Sequence, residues 1–340
     1  MTRRLAVLTV LLTMVASVAC AQKVLINAAG ATFPYPMYSK WFEEFRKKFP
    51  STTINYASIG SGGGIAQVTA GTVDFGASDG PMTDMQMKEF QDKRGSAILH
   101  FPTVLGAVVP TYNIPGVAAS LNFTGEALAG IYLGKITKWN DPELTKANPG
   151  VKLPANNIVV VHRSDGSGTT YVWADYLSKV SKEWETRVGK STSVKWPVGL
   201  GGKGNEGVSG SVQQTANSIG YVELIYAIQN KMSYGKVKDA AGEFVQASLA
   251  SVTAAAAGAS MPDDFRVSIT NAPGKGVYPI SSFTWLLIPS KIQDPVKKKA
   301  IKDFLNWMLT DGQKMTPALD YAPLPQAVVT KELKAIDKIQ

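Results

Sequence analysis

Cysteine and histidine are almost missing from this chain. Of 340 residues one is cysteine, Cys20, and two are histidine, His100 and His162. No intrachain disulfide can form, and zinc clusters of thiolate and imidazole are in practice excluded. A Ser-His-Asp relay would have to use one of those two imidazoles. The sequence also lacks a G-x-x-x-x-G-K-[ST] phosphate loop and any tandem repeat with a period of roughly 20–50 residues. After the leading segment, no apolar run approaches the ~18 residues of a membrane span. Charged residues are only 18% of the chain against 45% hydrophobic. That balance supports a buried core and excludes a disordered chain. At roughly 150 residues per domain the length points to two domains.

The leading segment reads as an address. Thr2-Arg3-Arg4 is a short positive stretch, and residues 5–18 are apolar apart from Thr9, Thr13 and Ser17. Ala19-Cys20-Ala21 then fits the small-x-small cleavage rule, so residues 1–21 are expected to be a signal peptide and the protein periplasmic. Cleavage removes Arg3, Arg4 and no acid, which takes the net charge from +9 to +7. An alternative processing keeps Cys20 as a lipid anchor. Ser17-Val18-Ala19-Cys20 serves that purpose poorly, because it lacks Leu three residues before the Cys.

What remains alternates between strands and helices. Strands are expected near 23–28, 53–59, 73–77, 105–112, 158–163, 218–222 and 280–288. Helices are expected around Tyr38 to Phe49, over 65–70, 126–133 and 250–257, after Thr170, and after Asp294-Pro295. Strand, glycine-rich turn and helix recur, the pattern of an α/β chain with parallel strands. Residues 190–210 are glycine-rich and read as loop. Lys297, Lys298 and Lys299, the longest cationic run, read as the solvated face of a helix. Spread-out positive charge of this kind suits steering of a small anion better than clamping a nucleic acid.

Three turns share one design. Ala31-Thr32-Phe33, Ser61 to Gly64, and Ser167-Gly168-Thr169 each follow a strand and open a helix. A helix start offers unpaired N–H groups and the positive end of its dipole; small residues admit an anion, and hydroxyls add donors. Each turn alone reads equally well as an ordinary cap. Arg163 ends a strand just before the third turn and can grip an oxyanion with two parallel hydrogen bonds, while Asp165 is placed to orient it. Asp79 also ends a strand. A carboxylate in an anion site makes sense where the anion carries a proton to donate.

Other patterns fail. Gly199-Leu200-Gly201-Gly202-Lys203-Gly204 spells G-x-G-x-x-G, but the flanking residues read as a poor strand and a poor helix, which argues against dinucleotide binding. Ser167 lacks the Gly two residues earlier that a nucleophile elbow needs. His162, next to Arg163 on a strand, faces the other way and reads as structural.

Longer stretches carry a resemblance. Gly30-Ala31-Thr32-Phe33-Pro34, Ile59-Gly60-Ser61, residues 73–79 (VDFGASD), residues 163–169 (RSDGSGT), Gly201-Gly202-Lys203-Gly204-Asn205 and Ile219-Gly220-Tyr221-Val222-Glu223 closely resemble the phosphate-binding proteins of bacterial high-affinity phosphate ABC transporters, from about Gly30 to Pro323. The resemblance implies an α/β, two-domain type II periplasmic-binding-protein (Venus flytrap) fold with the ligand in the interdomain cleft. It implies a first domain of residues 22–103 plus 279–340 and a second of 104–278, joined by two crossing strands. Phosphate contacts are implied at Ala31, Thr32, Phe33, Ser61, Asp79, Arg163, Ser167, Gly168 and Thr169. At Gly62 the family often has a second Ser, so one hydroxyl is missing here. The expected protein is a monomeric receptor that uses no cofactor or metal, catalyses nothing, and hands inorganic phosphate to membrane permease subunits. The rival readings are a sulfate or molybdate receptor and a secreted phosphatase.

Overall fold

The computed structural model describes residues 23–340; the signal-peptide and Cys20 readings lie outside the described residues. Two lobes share one nine-stranded sheet. In the first lobe Thr52–Ser58, Val24–Gly30 and Phe75–Ser78 lie parallel, and Ser281–Pro289 joins antiparallel to Phe75–Ser78. In the second, Val159–Arg163 runs parallel to both Ser218–Glu223 and Leu200–Gly202. The 16-residue strand Ile98–Asn113 joins the lobes. Residues 98–107 pair with Ser281–Pro289, and from Val108 onward the partner is Ser218–Glu223. The chain returns near Tyr278, whose hydroxyl donates to the Val108 carbonyl at 2.9 Å. Before that return the irregular segment 262–270 touches both lobes: Arg266 Nη1 donates to the Met82 carbonyl, and Thr270 Oγ1 accepts from Lys179 Nζ.

Helices cover the sheet with apolar faces. Helix Tyr35–Lys48 buries Met37, Tyr38, Trp41 and Phe45, with three basic residues in its last turn where the dipole favours them. Phe42 and Phe45 pack on Phe304 of helix Pro295–Thr310, which Asp294 caps through two backbone N–H groups.

Three expectations need correction. The 190–210 stretch is not all loop: Leu200–Gly202 is a strand and Gly204–Gln214 a helix. Glycine lowers helix propensity there, but Val208 and Val212 are fully buried, and that burial outweighs propensity. The second helix begins at Ser61 rather than Ile65, because Gly60 turns the chain at φ +84°. Lys297 is not simply solvated: its ammonium lies 2.8 Å from Asp74, whose other oxygen accepts from the Asn27 N–H.

Candidate functional site

The parallel strands of each lobe end at the interlobe cleft, and the three helix starts converge there. Gly62 N–H donates to the Gly166 carbonyl across the cleft at 2.8 Å, and Tyr226 Oη donates to the Thr32 carbonyl at 2.6 Å, so the lobes are in direct contact. That first bond also occupies the backbone N–H of Gly62, the position where a hydroxyl is missing. Gly168 permits the closure. A Cβ on it would fall onto Asp79 Oδ2 and Ser61 Oγ of the other lobe.

Of the nine residues singled out from the sequence, Thr32, Ser61, Asp79, Arg163, Ser167 and Thr169 are buried; Thr32 and Thr169 meet through Asn205 across the interlobe contact, and Gly168 lies against Ser61 and Asp79. Ala31 and Phe33 sit beneath that contact; their carbonyls accept from Tyr56 and Tyr321 hydroxyls at 2.8 and 2.6 Å. Ser167 is the N-cap of helix Gly168–Val180, its Oγ accepting from Thr170 N–H, which leaves its proton free. His162 stacks on Trp196 at 4.8 Å, away from the cleft.

Arg163 and Asp165 form a two-point pair. Nε reaches Oδ1 at 2.7 Å and Nη2 reaches Oδ2 at 2.5 Å. Nη1 is turned to Thr169 Oγ1 at 3.3 Å. Burial works to raise the Asp165 carboxyl, but the guanidinium prevails and holds it below its usual range.

Asp79 is the other charged group. Its Oδ1 accepts from Thr284 Oγ1 at 2.8 Å, and Oδ2 lies 3.5 Å from Ser61 Oγ. Burial pushes its carboxyl up to about 7, against the opposing pull of the Thr284 hydrogen bond, Arg163 and Ser61. The cleft thus combines several hydroxyl donors and the Arg163–Asp165 pair with the separate Asp79 carboxyl. That is a cage for a small oxyanion able to donate one hydrogen bond. Among the described residues no group of three or more His, Cys, Asp or Glu is placed to hold a metal ion.

The structure adds residues that sequence reading passed over. Asn205, from the rejected glycine-rich stretch, is buried between Thr32 and Thr169. Thr284 arrives from the return strand, 205 residues from its partner Asp79. For Asn205 a signal existed, a polar residue directly after a turn glycine; for Thr284 there was none.

Comparison with known proteins places the chain in a family. The family model of a PBP superfamily domain matches residues 17–312. The phosphate-binding protein PstS of Xylella fastidiosa (strain Temecula1) is 48% identical over 317 residues, 92% of this chain and 85% of that one. The phosphate-binding protein PstS of Pasteurella multocida (strain Pm70) is 45% identical over 334 residues, 97% and 94% of the two chains. Among solved structures, a phosphate binding protein from Stenotrophomonas maltophilia superposes with TM-score 0.71 at 17% identity, covering 92% of this chain and 93% of that one.

Proposed function

The chain belongs to the PBP superfamily, and from that premise we propose that it is the receptor of a phosphate ABC transporter. It binds inorganic phosphate in the closed cleft and delivers it to membrane permease subunits. The observation that carries the reading is Asp79, a buried carboxyl set among the hydroxyls of Ser61 and Thr284 at the interlobe contact, within a chain whose relatives are named as phosphate-binding proteins.

The geometry supports the following roles. Ser61, Thr32, Ser167 and Thr169 donate hydroxyl protons. Backbone N–H groups around Thr32, Phe33, Gly168 and Thr169 add helix-start donors. Arg163, held in place by Asp165, neutralises charge. Asp79 accepts the proton that phosphate keeps at neutral pH. Ala31 and Phe33 supply close backbone and an apolar wall. The lobes, residues 22–103 with 279–340 and residues 104–278, close on the ligand about Ile98–Asn113 and the return near Tyr278. The protein acts as a monomer in the periplasm and performs no chemistry; its relatives are named as binding proteins. No helix of the described residues is long and apolar enough to cross a membrane.

Calorimetric titration of ligand-stripped protein, first with phosphate and then with sulfate, is the test. Saturable phosphate binding with sulfate ignored supports the reading. Equal binding of both turns it into a general oxyanion receptor. No binding, together with turnover of aryl phosphate esters that Ser167→Ala abolishes, replaces it with an enzyme.

A further inference from the structure

The rejected glycine-rich stretch delivers a side chain into the middle of the cleft. Asn205 opens helix Gly204–Gln214 in the second lobe and is fully buried. Its Oδ1 accepts from the Glu223 N–H at 3.0 Å, which fixes the amide orientation: the NH2 end must face the threonines. Nδ2 lies 2.7 Å from Thr32 Oγ1 in the first lobe and 3.2 Å from Thr169 Oγ1 in the second. Each threonine oxygen also takes a second donor. Thr32 Oγ1 accepts from Asn205 N–H at 3.3 Å, and Thr169 Oγ1 from Arg163 Nη1 at 3.3 Å. A hydroxyl oxygen has two acceptor positions and one proton. Both oxygens are therefore filled as acceptors, and each keeps only its O–H to give.

We propose that Asn205 is a positioning residue that fixes Thr32 and Thr169 as obligatory donors across the closed cleft, directed at unprotonated oxygens of the bound anion. This leaves Asp79 as the acceptor for the anion's proton, so Asn205 sets the polarity of recognition without touching the ligand. The inference rests on the phosphate-receptor reading and deepens it. The charged and titratable groups around Asn205 are Arg163 and Asp165 from the strand end and its turn, Glu206 on the same helix, Glu223 at the end of Ser218–Glu223, and Tyr226 on Leu224–Gln229. Asp165 is paired with Arg163, and the Glu223 carboxyl is raised by burial, so neither supplies a competing charge at the threonines.

The test is a cycle of phosphate titrations on stripped full-length protein: wild type, Asn205→Ala, Thr32→Val with Thr169→Val, and all three together. Asn205→Ala is expected to weaken binding by about tenfold or more. In the double-threonine background it should change affinity by less than about threefold, because its effect runs through those hydroxyls. A pH readout separates positioning from mere support of the fold. Once the threonine lone pairs are free they can accept a second ligand proton. The affinity below phosphate's second ionisation, relative to that above it, should then rise about threefold or more in Asn205→Ala over wild type. Should Asn205→Ala fail to fold, Asn205→Asp keeps the acceptor for Glu223 N–H and turns an acceptor toward both threonines; it should bind more weakly than the double-threonine variant. Additive losses with an unchanged pH ratio, or an Asn205→Asp that binds like wild type, overturn the proposal. Wild-type protein that does not bind phosphate overturns the receptor reading instead.

Discussion

Thr284 Oγ1 donates to Asp79 Oδ1 at 2.8 Å, so one oxygen of the Asp79 carboxyl is held by the return strand while the other, Oδ2, lies beside Ser61 and Gly168. Removing that donor without changing shape, by Thr284→Val, should raise the Asp79 carboxyl further and loosen its aim. Phosphate affinity is expected to fall by about 1 kcal/mol. The preference over sulfate should fall too, because a protonated Asp79 can donate to sulfate. Paired phosphate and sulfate titrations of wild type and Thr284→Val at one pH measure it, and an unchanged ratio would show that Thr284 is only packing.

Asp79→Asn tests the acceptor itself. A site built around one hydrogen-bonding partner can reject an analogue lacking it by about 10⁴-fold. An amide can accept from phosphate or donate to sulfate, so the phosphate-over-sulfate ratio should drop by at least about tenfold while phosphate binding persists. If the ratio is the same in both proteins, selectivity comes from elsewhere in the cleft.

The same carboxyl makes the stability of stripped protein depend on pH. Its ordinary value is 3.8 and burial takes it to about 7. Between those values the folded state holds a proton that the unfolded state has released. Its stabilising contribution is therefore complete below about pH 3.8 and is lost as pH rises through about 7. Glu223 and Glu332, both raised by burial, push the same way. The useful quantity is the difference from Asp79→Asn in denaturant midpoint across that window. Parallel curves would mean that Asp79 is not buried as a titrating group.

Arg163→Ala should weaken phosphate binding by about 1.5–3 kcal/mol, part of which reflects Asp165 left without its partner. Arg163→Lys should not restore it, since an ammonium cannot make the two-point contact with Asp165 and still reach Thr169. Wild-type affinity in Arg163→Lys, measured by the same titration, would remove the guanidinium geometry from the mechanism.

Gly168→Ala is expected to abolish tight binding while sparing the fold. The added methyl falls onto Asp79 and Ser61 of the other lobe in this closed arrangement, and lobes that part would leave room for it. Stripped variant and wild type should melt alike. Excess phosphate at a hundred times the dissociation constant should stabilise the wild type by about 2.7 kcal/mol and leave the variant unmoved. A variant stabilised equally would mean that the lobes do not close this way on the ligand.

Most of the local structure was legible in the order of residues. Recurring strand, glycine-rich turn and helix patterns marked the elements, and Asp294-Pro295 marked a helix start, because backbone geometry and capping act over a few residues. The helix-start turns at Thr32, Ser61 and Ser167 were readable for the same reason. Long-range consequences were not. The helix Gly204–Gln214 runs against its own glycine content and exists because Val208 and Val212 find a sheet to bury against. Asn205 and Thr284 acquire meaning only when folding sets them beside Thr32 and Asp79, 173 and 205 residues away. Sequence alone determined which backbone turns can present donors to an anion. Tertiary structure decided which hydroxyls are compelled to donate and which carboxylate is left to accept, because a hydrogen bond's direction depends on neighbours that chain order does not specify.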